Sequence, residues 1–282
     1  MQKIISIFDG LRFSESTLHY SIMIAKQQQA HLTAIFPDDL TYHSFDLFQL
    51  LKSGTDQGTI RLLEENDEAK RKTAVGTFEA ACQEAGIGYN IHHSSDLALQ
   101  TVLEESIYAD LLIIDARETF AHDKTNPPTR FIRDLLTDVQ CPVLIVPGQV
   151  WVPPSFNSIS HAVLLYDGSP SSVYAIKMYN YLLPSLQILP TTILSVNRYG
   201  NHLKNKRLMR DFIENHFPEA LYKVIPGSPD EEIPKYMALQ PKGTIAVLGA
   251  YRRSTASRWF KESMADIILE AVPFFIFVAH HK

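Results

Sequence analysis

Cysteine is scarce in this chain. Its two residues, Cys82 and Cys141, stand 59 positions apart with no C-x-x-C spacing, which argues against both a disulfide framework and a zinc ribbon. Cys141 lies at the mouth of an apolar strand and reads as packing, because free cysteine behaves as a small hydrophobe. Basic charge is not in excess either. Against 31 Asp and Glu there are 26 Lys and Arg, a formal net charge of −5, whereas a general grip on nucleic acid needs a basic face. The longest apolar stretches, Pro273 to Ala279 and Pro142 to Pro147, fall far short of the roughly 20 residues of a membrane-spanning helix. Met1-Gln2-Lys3 runs straight into a strand-like segment without an apolar leader and cleavage site. The expectation is a cytoplasmic protein with neither nucleic-acid nor membrane partners.

Catalytic signatures are missing as well. There is no G-x-S-x-G elbow, no G-x-x-x-x-G-K-[ST] loop and no H-E-x-x-H, so hydrolase, P-loop and zincin chemistry lose their usual support. His92-His93 and His280-His281 are sequence neighbours. On a strand such pairs point to opposite faces, which is poor geometry for chelation. No catalytic residue and no metal site is expected, and a weak ATPase would be the most the chain does as an enzyme.

What the sequence does hold is a repeat. Its 282 residues suffice for about two domains, and 45% apolar with 20% charged residues is an ordinary globular composition. The run Ile4-Ile5-Ser6-Ile7-Phe8-Asp9-Gly10 lies on Ala162-Val163-Leu164-Leu165-Tyr166-Asp167-Gly168, 158 positions later. Each is an apolar run closed by Asp-Gly, with a serine four residues on, Ser14 and Ser172. Near the end of each half, Asp110 to Ala116 matches Gly243 to Ala250. Both halves then finish on a Pro-led apolar strand, after Pro142 and after Pro273. Between them, Pro147 to Ser158 carries prolines and a glycine that break regular structure. The domains are therefore drawn at 1–148 and 161–282, with a linker at 149–160.

Within each half, short continuous apolar runs alternate with segments of helical period, the pattern of β-α units feeding a buried parallel sheet. Strands are predicted near 3–8, 31–36, 87–92, 111–115 and 143–146, and again near 161–166, 191–196, 221–225, 244–248 and 274–278. Helices are predicted near 14–29, 64–85, 96–107 and 129–139, then near 170–183, 202–216, 229–239 and 257–271. The fold class is α/β: two tandem doubly wound domains, each a five-stranded parallel sheet of Rossmann-like type. An insertion from Pro37 to Ile60 marks the first half. Tyr42, Phe45, Phe48, Leu47, Leu50 and Leu51 suggest a short amphipathic helix in it, packed on its own domain or covering a cleft or partner surface.

Open α/β sheets bind ligands beyond the C-terminal strand ends, where strand order reverses. In an order 3-2-1-4-5 that point lies between the first and fourth strands. The residues leaving those strands are Asp9-Gly10 and Asp115-Ala116 in the first half, and Asp167-Gly168 and Gly249-Ala250 in the second. A carboxylate there can accept a hydrogen bond from a base or sugar, and a glycine lets backbone N–H groups approach phosphate. One Asp-Gly is an ordinary exit turn; its recurrence points to ligand binding.

Strand-Asp167-Gly168-Ser169, the segment Pro226-Gly227-Ser228-Pro229-Asp230-Glu231-Glu232-Ile233 and the closing Pro-led strand resemble the universal stress protein family. The duplication is similar to its tandem, two-domain members. That resemblance implies ATP binding, with Mg²⁺ accompanying it, through Gly-x2-Gly-x9-Gly-Ser/Thr after the fourth strand. Here Gly249 keeps the first position, Arg252 replaces the second glycine, and Glu262-Ser263 replace Gly-Ser. In the first half Asp115 and Glu118 stand at the first two positions and Thr129-Arg130 near the last two. A carboxylate about 4 Å from a phosphate charge costs roughly 4 kcal/mol at an effective dielectric of 20, which disfavours triphosphate there. The nucleotide site implied is therefore Asp167, Gly168, Ser169, Gly249, Ala250, Arg252, Arg253 and Ser263, with Asp9 and Gly10 a weaker counterpart. Arg252 and Arg253 supply bidentate donors, and Ser263 would meet phosphate at a helix N-terminus. The resemblance also implies an internal pseudo-dimer through the closing strands, and a further homodimer. The alternative reading is a degenerate member that has lost ATP and acts as a protein-interaction module.

Overall fold

A computed structural model describes residues 2–37, 42–122, 126–148, 159–198, 200, 203, 205–249, 264–271 and 274–279. The chain forms two compact units, Met1–Val139 and Gln140–Lys282. It is α/β throughout, and its sheets are mostly parallel.

The first unit runs β1 (Lys3–Ile7), α1 (Glu15–Gln28), β2 (His31–Pro37), α2 (Leu47–Lys52), α3 (Gln57–Ala85), β3 (Tyr89–Ser94), α4 (Ala98–Ser106), β4 (Leu111–Asp115) and α5 (Arg130–Asp138). Its strands lie in the order β3-β2-β1-β4, every pair parallel. β1 and β4 are mostly apolar, as strands covered by helices on both faces are, and all of β4 is buried. Phe8, at the exit of β1, stacks on Phe13 and Phe36 with centroids 5.1 and 5.4 Å apart and meets Phe78 of α3 at 5.5 Å. This aromatic cluster fixes α3 against the C-terminal end of the sheet.

The second unit holds β5 (Val143–Val146), β6 (His161–Leu165), α6 (Pro170–Leu182), β7 (Thr191–Asn197), α7 (Lys206–His216), β8 (Leu221–Pro226), α8 (Pro229–Ala238), β9 (Thr244–Gly249), α9 (Met264–Ala271) and β10 (Phe275–Ala279). The order is β5-β10-β9-β6-β7-β8, with the second repeat's five strands in the expected succession. β5, which closes the first repeat in sequence, pairs antiparallel with β10, Leu144 opposite Phe277.

Several segments depart from the sequence reading. α3 begins at Gln57 rather than near 64, because Asp56 caps it by accepting from the Thr59 N–H at 2.9 Å. The insertion does form a short helix, α2, capped by Asp46. It buries no residue, however, and leaves Phe48 75% and Leu51 60% exposed. α7 starts at Lys206 rather than near 202. Cys82 and Cys141 are both free and buried, as packing requires, and burial pushes the Cys82 thiol up to about 12. No described helix is long and apolar enough to cross a membrane.

Candidate functional site

In the first unit the chain leaves β1 through Asp9 and Gly10 and does not enter α1 until Ser14 has capped it, accepting from the Thr17 N–H at 3.1 Å. The wide loop folds Asp9 inward, and it is 2% exposed. One of its carboxylate oxygens accepts from the Leu11 and Arg12 N–H groups at 2.8 and 3.2 Å. The other accepts from the Tyr42 hydroxyl at 2.6 Å. Asp115, the last residue of β4, accepts from Ser14 Oγ at 2.7 Å and from the Arg117 Nη2 and Nε at 3.0 and 3.2 Å.

Glu118 completes the acidic group. It is buried, and burial, followed by the charges of Asp9 and Asp115, holds its carboxyl well above the usual range. Arg12 turns away to the Thr119 hydroxyl and the His122 carbonyl. Gly10 is overlaid by α3, where an added Cβ would stand 3.0 Å from Arg71 Cγ. Thr129 caps α5 by accepting from the Ile132 N–H at 3.2 Å and donates to the Glu118 carbonyl. Losing a cap of this kind costs about 0.5–2 kcal/mol. Thr129→Ala is accordingly expected to lower stability by about 1 kcal/mol, read as a shift in urea midpoint at constant slope.

The second unit uses the same Asp-Gly differently. α6 starts at Pro170, three residues after Asp167, whereas α1 starts six after Asp9. The tight turn places Gly168 at φ +78°, a left-handed conformation that favours glycine. Ser169 caps α6 by accepting from the Ser172 N–H at 3.2 Å and donates its own N–H to Asp167 Oδ1 at 2.7 Å. Asp167 stays exposed. Beside it opens a cleft of about 360 Å³ lined by Gly168, Ser169, Tyr174, Lys177 and Asn205.

Gly249 ends β9 and faces α6, where an added Cβ would lie 2.6 Å from the Ser171 carbonyl carbon, carbonyl oxygen and Oγ. Its missing side chain lets strand and helix touch. No acidic residue ends β9 as Asp115 ends β4. Ala250, Arg252, Arg253 and Ser263, with Glu262, lie outside the described residues. Among the described residues no group of His, Cys, Asp and Glu is arranged to hold a metal ion. His92 instead pairs with Glu105 at 2.6 Å.

Sequence reasoning found the strand-exit acids but missed Arg117 and the contact of Tyr42 with Asp9. Tyr42 was visible only as one aromatic among several in the insertion.

Two solved structures span this architecture from end to end. A universal stress protein from Archaeoglobus fulgidus DSM 4304 aligns over 99% of this chain and 96% of its own, with a TM-score of 0.67 and 13% identity. The fold is that of a tandem universal stress protein. A putative universal stress protein from Pseudomonas aeruginosa UCBPP-PA14 aligns over 99% of this chain and 93% of its own, at a TM-score of 0.59 and 15% identity. A half-length universal stress protein fold is also matched, in an Arabidopsis thaliana family protein with AMP bound, over 55% of this chain and 98% of that one at a TM-score of 0.37 and 10% identity. No family model and no curated protein sequence matches the chain.

Proposed function

We propose that this chain is a non-catalytic, adenine-nucleotide-binding protein of the universal stress protein type, holding ATP with Mg²⁺ in its second unit. The observation that carries the reading is the contrast between the two Asp-Gly exits. Asp9 is buried beneath Tyr42 and backbone donors, while Asp167 is exposed; a cleft of about 360 Å³ lies beside the glycine of each exit. Asp167 accepts from adenine or ribose, as an ionised acceptor at a strand exit can. Gly168, Gly249 and Ala250 present backbone N–H groups, Ser169 holds Asp167 in place through its own N–H, and Arg252, Arg253 and Ser263 meet the phosphates. The antiparallel pairing of β5 with β10 supports the expected pairing of closing strands within one chain. A homodimer, a cytoplasmic location and a role in stress response belong to the same reading, as do repeat boundaries at 1–148 and 161–282.

A second reading has one observation in its favour. The glycine that begins the phosphate motif, Gly249, already serves the contact with Ser171, which fits a member that has lost ATP and works through protein contacts. Thermal unfolding with and without ATP and Mg²⁺ separates the two. A ligand at about 100 times its Kd adds about 2.7 kcal/mol, so ATP binding raises the melting temperature and the interaction module leaves it unmoved.

A further inference from the structure

We propose that the segment Tyr42–Ser44 is a built-in occupant of the first unit's ligand crevice, an autoinhibitory strap whose phenol takes the place of a planar ligand with a hydrogen-bond donor. The crevice lies between the exits of β1 and β4, neighbours in the sheet. Tyr42, 8% exposed, sits there and donates to Asp9 at 2.6 Å, as the hydroxyl or amino group of a bound ring would.

The strap is tied down along its length. Arg71 Nη2 donates to the Tyr42 carbonyl at 2.6 Å. The Ser44 N–H and hydroxyl both donate to Asp67, at 2.8 and 2.5 Å, and Asp67 is fully buried on α3. Lys70 bridges Ser44 Oγ and Asp67, each at 3.1 Å. These four side chains belong to the strap and to the face of α3 that covers Gly10, so the closure is built into the fold.

The crevice also sets the class of ligand it would take with the strap displaced. Asp9, Asp115 and Glu118 surround it, and the neighbouring guanidiniums of Arg117 and Arg12 are engaged by Asp115 and by the Thr119–His122 loop. A phosphate there would face the carboxylates of Asp9 and Asp115, and the nearest guanidinium, Arg117, is already paired with Asp115. A neutral planar ring bearing one donor fits, and an anion does not. This inference does not depend on nucleotide binding in the second unit.

The test uses the full chain with Tyr42→Ala and the probe p-cresol, the tyrosine side chain as a free molecule. A cavity left by a deleted ring can accept a ring of the same shape, and here the ring's hydroxyl would meet Asp9 as the Tyr42 hydroxyl does. p-Cresol is expected to raise the melting temperature of Tyr42→Ala in a saturable way and to leave the wild type unmoved. Toluene, which lacks the donor, is expected to bind at least tenfold more weakly. Equal shifts in variant and wild type, no shift in the variant, or equal affinity for toluene would each overturn the proposal.

Should Tyr42→Ala not fold, Tyr42→Phe with hydrogen exchange decides. The amides of Leu11, Arg12 and Ser44 are expected to exchange at least tenfold faster than in wild type. Unchanged rates would show that the hydroxyl does not hold the strap. Because p-cresol reads the first unit and ATP the second, either proposal can fail without the other.

Discussion

Gly249→Ala is expected to lower the stability of the second unit by about 3 kcal/mol, the upper end of what overpacking costs. The added methyl would lie 2.6 Å from three atoms of Ser171, two of them backbone. A flexible side-chain tip could swing aside, but these atoms belong to the first turn of α6, fixed by Ser169's cap and by a buried helix face. Relief therefore requires moving the helix away from β9, which loosens interior packing over a wide area. The signature is a lower urea midpoint with an unchanged slope. A variant as stable as wild type would show that strand and helix are not in the contact described.

Glu118→Gln is expected to stabilise the first unit, increasingly so as pH rises. In the folded chain burial and the charges of Asp9 and Asp115 keep the Glu118 proton on to higher pH than in the unfolded chain. Above the unfolded value, about 4.3, the unfolded state releases this proton while the folded state retains it. Fewer protons are then bound in the unfolded state, so wild-type stability falls with pH, by up to about 1.4 kcal/mol per unit, until the folded group also titrates. Glutamine keeps a neutral side chain of the same shape and removes that slope.

Asp67 acts with the opposite sign. Burial raises its carboxyl, but bonds from Ser44 and Lys70 outweigh burial and hold it below its ordinary value. Its contribution is present at neutral pH and is lost only as pH falls through that lowered value, outside the window of Glu118. Urea unfolding of wild type and variant from pH 5 to 8 checks the point. A constant difference across that range would contradict it.

How much of this was legible in the sequence depends on how each feature is encoded. β1, β4 and β9 were placed to within a residue or so because strands buried on both faces are written as unbroken apolar runs. β3, an edge strand reading Tyr-Asn-Ile-His-His-Ser, was set two residues early because polarity hid its period. The start of α3 was missed because its first two turns bury only Ile60, leaving the Asp56 cap as the local signal.

The site divides in the same way. Asp9, Asp115 and Asp167 were readable because β-α topology places residues that leave adjacent strands at one sheet end. The Asp9–Tyr42 bond was not, since it joins residues 33 positions apart through a segment whose pattern fixes no fold. Gly249 was found as a position, but its close contact with Ser171 was not. Spacing alone does not distinguish a glycine that admits a phosphate from one that admits a helix.

Isothermal titration with ATP and Mg²⁺, on wild type and Asp167→Ala side by side, tests the central claim most directly. A denatured sample is first checked for nucleotide carried through purification. The expected result is one site per chain, weakened at least tenfold in the variant, since a hydrogen bond to a charged group contributes about 1.5–3 kcal/mol. No heat and no carried-over nucleotide in the wild type, or equal affinity in both proteins, would contradict it.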